Sequence, residues 1–241
     1  MRLDVFLTEK GFADSRTEAK NFILTGAVTV NGKAVLKPSY DICIEDADVK
    51  IDKSSKKYVS RGGFKLEGAL SEFKISVTGR LAIDIGSSSG GFTDCLLQNG
   101  AYHVICVDSG SGQLHESLRR DRRVTVFENF NARYMTIDDF EYQPNLAVMD
   151  VSFISATYII PSIYTILADN SDFICLIKPQ FEVGRSGLGK GGIVKNDKIR
   201  SVAVEKVTEF AKSVGFELVS VIKSSIEGGD GNIEYLAHFR K

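Results

Sequence analysis

The chain has 241 residues, of which 43% are hydrophobic and 25% are charged, and its formal net charge is -1 at pH 7. This composition is typical of a folded globular protein and excludes long disorder, collagen-like repeats and a coiled-coil rod. The length is sufficient for one large domain or for a large and a small one. Because the net charge is near zero, any binding to nucleic acid has to come from local clusters of positive charge.

The patterns of apolar residues and cysteines restrict the class of protein further. The longest apolar stretch, residues 153–168, is interrupted by Pro161 and by several serines and threonines, whereas a bilayer span needs about 20 predominantly apolar residues. Asp4 breaks the pattern of a signal peptide, so we expect a cytoplasmic protein without a membrane span. The four cysteines lie far apart, without the spacing of zinc sites or disulfide-rich domains. We therefore expect buried thiols and no metal site.

The N-terminal part, ending near residue 52, is predicted to form two short helices and a hairpin. The helices are predicted over residues 3–10 and 15–25, where apolar residues recur at helical spacing. Ser15 and Glu18 have the spacing of a capping box. Asn31-Gly32 separates two β-prone runs, which is the strongest short-range signal of a hairpin.

Three strings in this part carry a family resemblance: Arg2-Leu3-Asp4, Ser15-Arg16 and Gly26-Ala27-Val28-Thr29-Val30-Asn31-Gly32-Lys33. Together they resemble the S4 RNA-binding domain. The resemblance implies RNA contacts from Arg2, Arg16, Lys20 and Lys33, and such side chains dock phosphates without reading bases. Residues 1–60 carry ten Lys or Arg and nine Asp or Glu, a net of +1, so the basic residues would have to share one face. A solvated surface of mixed charge is the alternative.

Beyond a polar linker at residues 52–57, β-prone runs alternate with helical patterns. The predicted strands are 81–85, 103–107, 124–127, 146–150, 173–177, 216–222 and 233–239. The predicted helices are 64–73, 91–98, 156–167 and 197–214. This alternation predicts a doubly wound α/β sheet that is buried on both faces. The last two strands have only a glycine-rich turn between them, so we expect them to be antiparallel.

A glycine-rich loop follows the first of these strands, in the string Asp84-Ile85-Gly86-Ser87-Ser88-Ser89-Gly90-Gly91-Phe92. An acid at a strand end, followed by glycines where the backbone must turn sharply, indicates a cofactor site at the carboxyl edge of the sheet. The spacing differs from that of dinucleotide and P-loop motifs, so a pyrophosphate is not expected. The next strand ends in Asp108, whose carboxylate can accept both hydroxyls of an unphosphorylated ribose.

This loop and Asp108 together resemble the S-adenosylmethionine-dependent methyltransferases of the Rossmann-like class. The resemblance implies that the cofactor site contains Asp84, Gly86, Gly90, Gly91, Phe92, Asp108, Asn131 and Asp150. Asn131 is preferred to Asn129 as the polar residue near the adenine. Two alternatives stay open: Asp108 only caps a helix, or Asn131 only supports a turn.

Four charged residues lie near the ends of predicted helices or strands: Lys65, Asp150, Lys178 and Glu234. Neither a lysine nor an acid is favoured beside an apolar core without a partner. The set resembles the Lys-Asp-Lys-Glu tetrad of the ribose 2′-O-methyltransferases related to FtsJ. Structural ion pairs at strand ends are the alternative.

The strings Lys178-Pro179-Gln180-Phe181-Glu182 and Gly189-Lys190-Gly191-Gly192-Ile193-Val194 extend the resemblance to the whole chain, which is similar to the TlyA family of S4-domain rRNA 2′-O-methyltransferases, often labelled hemolysins. The resemblance implies an S4-like RNA-binding domain and linker at residues 1–60 and a methyltransferase domain at 61–241. It implies methylation of a ribose 2′-hydroxyl in ribosomal RNA or ribosomal subunits, on a cytidine of 16S and/or 23S rRNA. An oligomeric state is not implied.

The chemistry of this reaction assigns roles to the tetrad. An ammonium with the ordinary pKa of about 10.4 cannot act as a base near neutrality, but a second cation nearby and partial desolvation both favour the neutral amine. We therefore expect Lys178 to be the general base or to orient the hydroxyl, Lys65 to be its electrostatic and substrate-positioning partner, and the two carboxylates to orient the lysines. In-line placement of the reacting atoms would supply much of the rate.

Basic residues outside the N-terminal part complete the expected RNA-binding set, namely Arg61, Arg185 and Lys190. The last two lie in the glycine-rich segment 181–194, which is interpreted as a mobile lid over RNA phosphates, with a plain flexible loop as the alternative. Three other functions stay open. They are a non-catalytic RNA-binding assembly factor with a relic cofactor pocket, a membrane-lytic protein, and a pseudouridine synthase, to which the glycine-rich loop gives no support.

Overall fold

In the computed structural model, the described residues are 1–24, 27–35, 37–43, 48–51, 57–184, 187–228 and 231–241. The chain divides into two compact units, residues 1–61 and residues 62–241. Most of the predicted linker, residues 52–56, lies outside the described residues, as does Arg185.

The N-terminal unit consists of two helices and a small antiparallel sheet that share one apolar core. Its elements are α1 (Leu3–Glu9), α2 (Arg16–Leu24), β1 (Val28–Val30), β2 (Lys33–Ala34) and β3 (Val49–Ile51), with the strand order β2-β1-β3. The two predicted helices and the hairpin are confirmed, whereas β3 is an element that the sequence pattern did not indicate.

The hairpin turn and the helix cap at Ser15 form as the sequence predicts. Asn31 and Gly32 both have positive φ, at 50° and 74°, as the tight turn of a two-residue hairpin requires. The hydroxyl of Ser15 accepts a hydrogen bond from the Glu18 backbone N–H at 3.1 Å. The Glu18 carboxylate accepts a hydrogen bond from the backbone N–H of Asp14, the residue before Ser15, at 2.6 Å.

Asp4 is a fully buried acid that joins the two helices of this unit. Its carboxylate accepts hydrogen bonds from Arg2 Nε and Nη2, at 2.9 and 3.0 Å, and from Arg16 Nη2 at 3.1 Å. The bonds from Arg2, and then those from Arg16, hold the pKa of Asp4 at about 2 although burial alone would raise it. Two arginines that are expected to bind RNA therefore also stabilise the fold.

The C-terminal unit is built around a seven-stranded sheet. Its strands are β4 (Leu81–Ile85), β5 (His103–Val107), β6 (Val124–Phe127), β7 (Leu146–Met149), β8 (Asp172–Ile177), β9 (Glu217–Lys223) and β10 (Tyr235–Arg240). Its α-helices are α3 (Gly62–Phe73), α4 (Gly91–Gln98), α5 (Glu116–Arg119), α6 (Ile160–Ile166), α7 (Pro179–Glu182) and α8 (Asp197–Val214). The strand order is β6-β5-β4-β7-β8-β10-β9, and β10 runs antiparallel to both of its neighbours, β8 and β9. The predicted α/β class and the antiparallel final pair are confirmed.

This topology determines where a ligand can bind. The chain passes from β4 to β5 on one side and returns to β7 on the other, so the strand order reverses between β4 and β7. Open α/β sheets bind ligands in the crevice that such a reversal leaves at the carboxyl ends of the strands.

The predicted continuous helix over 156–167 is wrong. The segment forms a short 3-10 helix, Ala156–Tyr158, followed by α6, which begins at Ile160. Pro161 lies in the first turn of α6. Because proline lacks an N–H and disfavours helical backbone in the residue before it, it is tolerated at a helix start but not in a helix interior.

Replacing Asp4 by Asn is expected to lower the free energy of unfolding of the N-terminal unit at pH 7 by on the order of 1–3 kcal/mol, since the two arginines lose a charged acceptor. Because the pKa of Asp4 is lowered from 3.8 to about 2, its contribution is present above about pH 4 and is lost as the pH falls toward 2. Urea unfolding at pH 7 and pH 2.5 measures both values, with Asp14→Asn, an exposed acid, as the control. An equal deficit at both pH values would contradict this account.

Candidate active site

The turn after β4 brings the backbone of two strand ends into close contact. Gly86 has φ +81°, and its N–H donates to the carbonyl of Val107 at 2.8 Å. A Cβ atom on Gly86 would lie 2.4 Å from the carbonyl oxygen of Asp150. Gly90 has φ +93°, a conformation that favours glycine, and a Cβ there would displace the side chain of Leu118. Glycine is therefore favoured at Gly90 by its backbone conformation and required at Gly86 by its backbone contact as well.

A cleft of about 550 Å³ opens beside this turn, at the carboxyl ends of β4, β5 and β7. Four of the residues that were predicted to bind the cofactor line it, namely Gly86, Asp108, Asn131 and Asp150. Its walls combine apolar side chains, such as Ile85 and Val107, with a few polar groups. A cleft of this size and lining is typical of a site for a small organic cofactor.

The Asp108 carboxylate is held rigidly at the wall of the cleft. One oxygen accepts from the backbone N–H of Ser88 and the other from that of Gly110, both at 2.7 Å. Each oxygen keeps a further lone pair for a donor in the cleft. Asp108 does not cap a helix, because the next helix, α5, is capped by His115.

The other predicted cofactor residues, Asp84, Gly90, Gly91 and Phe92, do not line the cleft but support its floor. Asp84 is fully buried, and its Oδ2 accepts from the N–H and the hydroxyl of Thr93, at 2.9 and 2.6 Å. These bonds fix the first turn of α4. Burial, together with the nearby carboxylates of Asp150 and Asp108, raises the pKa of Asp84 to about 7. Its other oxygen, Oδ1, has no hydrogen-bond partner in the described part of the chain.

Asn131 both supports a turn and lines the cleft. Its side-chain oxygen accepts from the backbone N–H of Arg133 at 3.1 Å and caps the 3-10 helix Ala132–Tyr134. The same residue lines the cleft. Supporting a turn therefore does not exclude a contact with a ligand.

The four predicted catalytic residues form two ion pairs. Lys65 Nζ lies 2.5 Å from Glu234 Oε2, and both side chains are buried. Lys178 Nζ lies 2.6 Å from Asp150 Oδ1, and this pair is only partly buried. The pairing of β10 with β8 ends at Tyr235 opposite Ile177, so Glu234 and Lys178 are the next residues at the same end of these two strands.

The Lys178 pair is the one that faces the cleft. Lys178 Nζ also donates to Ser152 Oγ at 2.8 Å, and both of its partners, Asp150 and Ser152, line the cleft. Each lysine of the tetrad contacts a carboxylate directly, at 2.5 Å for Lys65 and 2.6 Å for Lys178. These contacts hold the two lysines in place, which suits a lysine that orients a hydroxyl.

Glu182 is a buried acid to which the sequence pattern assigned no role. Its carboxylate accepts from Ser155 Oγ at 2.6 Å, from the backbone N–H of Ala156 at 2.8 Å and from Lys206 Nζ at 3.0 Å. It therefore joins α7, which begins directly after Lys178, to the segment that follows Asp150 and to α8. An acid within an otherwise apolar string, between Phe181 and Val183, was the available signal.

The residues that are expected to bind RNA lie in both units. Arg16 and Lys20 are one turn apart on α2, and Lys33 lies on β2, all three exposed. Arg2 also keeps part of its guanidinium exposed while it contacts Asp4. Arg61 is partly buried, and Lys190 is exposed at the start of a 3-10 helix, Lys190–Gly192.

Comparisons with known proteins identify relatives of both units. The family of FtsJ-like methyltransferases matches residues 58–241, and the S4 domain matches residues 1–48. Hemolysin A of Brachyspira hyodysenteriae is 44% identical to this chain over 240 residues, which are 99% of each protein. The 16S/23S rRNA (cytidine-2′-O)-methyltransferase TlyA of Mycobacterium tuberculosis is 40% identical over 239 residues, which are 99% of this chain and 89% of that protein.

A solved structure agrees with these matches. It is that of a Streptococcus thermophilus protein that carries the name hemolysin, with a TM-score of 0.79 and 44% identity, and the match covers 100% of this chain and 88% of that one. Among the described residues, no helix has the length and apolar character that crossing a bilayer requires.

Replacing Gly86 by Ala is expected to lower the free energy of unfolding by more than the cost of holding an alanine at a positive φ. Gly112→Ala is the matched control, because Gly112 also has a positive φ, +68°, but has open space around its Cβ position. The control should lose about 1–2 kcal/mol, and Gly86→Ala should lose more, because its Cβ would overlap the Asp150 carbonyl. Urea unfolding measures the difference, and equal losses would show that the close approach is not the constraint.

Replacing Glu182 by Ala is expected to lower the free energy of unfolding by about 1–3 kcal/mol, because the buried N–H of Ala156 loses its acceptor. Glu182→Gln keeps a similar shape and an acceptor oxygen and should lose less. Glu209→Gln, which breaks an exposed pair with Lys212, is the control and should change stability by less than about 1 kcal/mol. A Glu182→Ala variant as stable as the control would rule out the joining role.

Proposed function

The chain belongs to the FtsJ-like methyltransferase family, and we propose that it transfers a methyl group from S-adenosylmethionine to a ribose 2′-hydroxyl of ribosomal RNA. The observation that carries this proposal is that the cleft and the lysine share one residue. Asp150 lines the cleft and holds Lys178 at 2.6 Å. The methyl donor and a group able to orient a hydroxyl can therefore meet at one end of the cleft.

The charges around the cleft support S-adenosylmethionine over a phosphate-bearing cofactor. Asp108 and Asp150 line the cleft, and Asp84 is close enough to both that their charges raise its pKa. The carboxylates of Asp108 and Asp150 at the cleft wall disfavour phosphates and favour a ligand with positive charge. When bound, S-adenosylmethionine supplies a methyl group on a positively charged sulfur, together with a ribose whose hydroxyls suit Asp108.

Each charged side chain then has a definite role in the reaction. Lys178 orients the 2′-hydroxyl and stabilises the negative charge that develops on its oxygen as the O–C bond forms, the C–S bond breaks and the hydroxyl proton passes to water. Asp150 and Ser152 hold the lysine in position from the cleft side. The buried Lys65–Glu234 pair at the same sheet edge supports the position of β10 and contributes to the local field. Much of the rate comes from alignment of oxygen, methyl carbon and sulfur.

The RNA substrate follows from the N-terminal unit and from the full-length relatives. The S4-like residues 1–60 dock RNA phosphates through Arg2, Arg16, Lys20 and Lys33, and the methyltransferase domain adds Arg61, Arg185 and Lys190. The target is a cytidine of 16S and/or 23S rRNA, as in the name of the Mycobacterium tuberculosis relative. The protein acts in the cytoplasm on ribosomal subunits.

Phe153 provides a further reason for a nucleic-acid substrate. It lines the cleft beside Ser152, is 93% exposed and has φ +66°. A strained backbone that holds an apolar ring in solvent is typical of functional sites. An exposed aromatic face next to the proposed catalytic lysine suits a nucleobase.

Membrane lysis is the second candidate, because two relatives carry the name hemolysin. The cleft with its attached Lys178 pair favours methyl transfer over lysis. Both activities can be measured on one preparation of purified protein, with tritiated S-adenosylmethionine and ribosomal subunits in one assay and red cells in the other.

Replacing Lys178 by Ala is expected to lower the rate of methyl transfer to ribosomal subunits by about 10²–10⁴-fold, since the hydroxyl loses the group that orients it. The affinity for S-adenosylmethionine, measured by calorimetry, should change little. Lys212→Ala, a surface lysine on α8, is the control. Label on a base instead of a ribose, or full activity of the Lys178 variant, would overturn the proposal.

A further inference from the structure

An arginine between two exposed tyrosines lies at the rim of the cleft. The guanidinium carbon of Arg133 is 4.9 Å from the centre of the Tyr158 ring and 5.6 Å from that of Tyr134. Tyr134 is 69% exposed and Tyr158 is 53% exposed. We refer to Arg133, Tyr134 and Tyr158 as the Arg133 patch. Because more than half of the surface of each tyrosine is exposed, these rings contribute little to the hydrophobic core.

The Arg133 patch is continuous with the cleft. Tyr134 ends the 3-10 helix Ala132–Tyr134 and Tyr158 ends the 3-10 helix Ala156–Tyr158, which follow β6 and β7 at the carboxyl edge of the sheet. Asn131 and Ile159, which adjoin these helices, line the cleft. The Arg133 patch is therefore adjacent to the cleft.

Hydrogen bonds fix both segments of the patch. The carbonyl of Arg133 accepts from Ser162 Oγ on α6 at 2.6 Å. The start of the second 3-10 helix is held by Glu182, which accepts from the N–H of Ala156 at 2.8 Å. The arginine and the two rings are thus presented by backbone that is held in place before any ligand binds.

The charge of Arg133 is available to a ligand. Over the described ranges it forms no ion pair with a carboxylate, whereas Arg119 and Arg123 of the same unit are each paired with an acid. Its positive charge lies over aromatic faces instead. Guanidinium planes and tyrosine rings are the surfaces on which unpaired nucleobases stack, and the arginine N–H groups can also bind a phosphate.

We propose that the Arg133 patch binds unpaired nucleotides of the RNA substrate next to the methylated ribose. Bases stack on Tyr134 and Tyr158, and Arg133 contacts the adjoining phosphate. The proposal rests on the proposed function and narrows its substrate class to a single-stranded segment, because bases within a duplex have no free faces to offer.

The test uses the full chain with both tyrosines replaced by Ala. The matched control is Tyr102→Ala, since Tyr102 is 68% exposed but precedes β5, at the opposite edge of the same sheet. Fluorescence anisotropy measures binding to a single-stranded RNA oligonucleotide and to a duplex that contains it. The double variant should lose about 10- to 100-fold in affinity for the single strand and much less for the duplex. The control should change by less than about twofold, a loss far below that of a stacked base.

Two further measurements separate a binding role from a structural one. The KM for ribosomal subunits should rise in the double variant while kcat and the affinity for S-adenosylmethionine stay unchanged. Tyr134→Phe with Tyr158→Phe, which keeps both rings, should restore wild-type binding. Unchanged single-strand affinity in the Ala variant, or an equal loss in the control, would overturn the proposal.

The outcomes also distinguish this proposal from the proposed function. If wild-type protein methylates no RNA but the Ala variant still loses single-strand binding, the methyl-transfer proposal fails and the Arg133 patch stands as a binding surface. If methylation has the same KM in the Ala variant and in wild type, the patch proposal fails and the proposed function is unaffected.

Discussion

The contact between the turn after β4 and the end of β7 is the constraint on which the site depends. Gly86 has to be glycine because the carbonyl of Asp150 occupies the space of a side chain. This contact brings the floor of the cleft against the residue that holds Lys178. A single backbone approach therefore links the cleft to the Lys178 ion pair, and a small shift of either strand would disturb both.

The electrostatics of the C-terminal unit follow from that arrangement. Carboxylates lie around the cleft, and each lysine of the tetrad contacts one acid: Lys178, which follows β8, contacts Asp150, and Lys65, on α3, contacts Glu234. Burial raises the pKa of Asp84 from 3.8 to about 7. The unfolded chain therefore loses this proton at a lower pH than the folded protein does, and the fold becomes less stable as the pH rises from about 4 toward 7. The protein tolerates this cost where negative charge suits a cationic ligand.

Much of the fold could be predicted from the sequence because its signals are local. The bounds of β4, β5, β6, α4 and α8 agree with the prediction, since apolar runs, glycines and caps mark them directly. Apolar periodicity predicts a longer helix over 156–167 than the one that forms, because Pro161 limits where the helix can begin. The pairing of Lys65 with Glu234 and the three contacts of Glu182 could not be predicted, because they join residues from distant parts of the chain whose distances depend on tertiary packing. Asp84 was assigned to the cofactor from its motif, while its burial behind the cleft depends on how α4 packs.

The sharing of Asp4 by Arg2 and Arg16 has a consequence for how the N-terminal unit responds to salt. Binding of basic residues to nucleic acid releases counterions, and the slope of affinity against salt concentration reports how many charges take part. One buried carboxylate already neutralises part of the charge of both arginines. If RNA binds through the proposed contacts of Arg2 and Arg16, its salt dependence is expected to be shallower than the number of lysines and arginines in this unit implies, because these two arginines act more through hydrogen-bond geometry than through net charge.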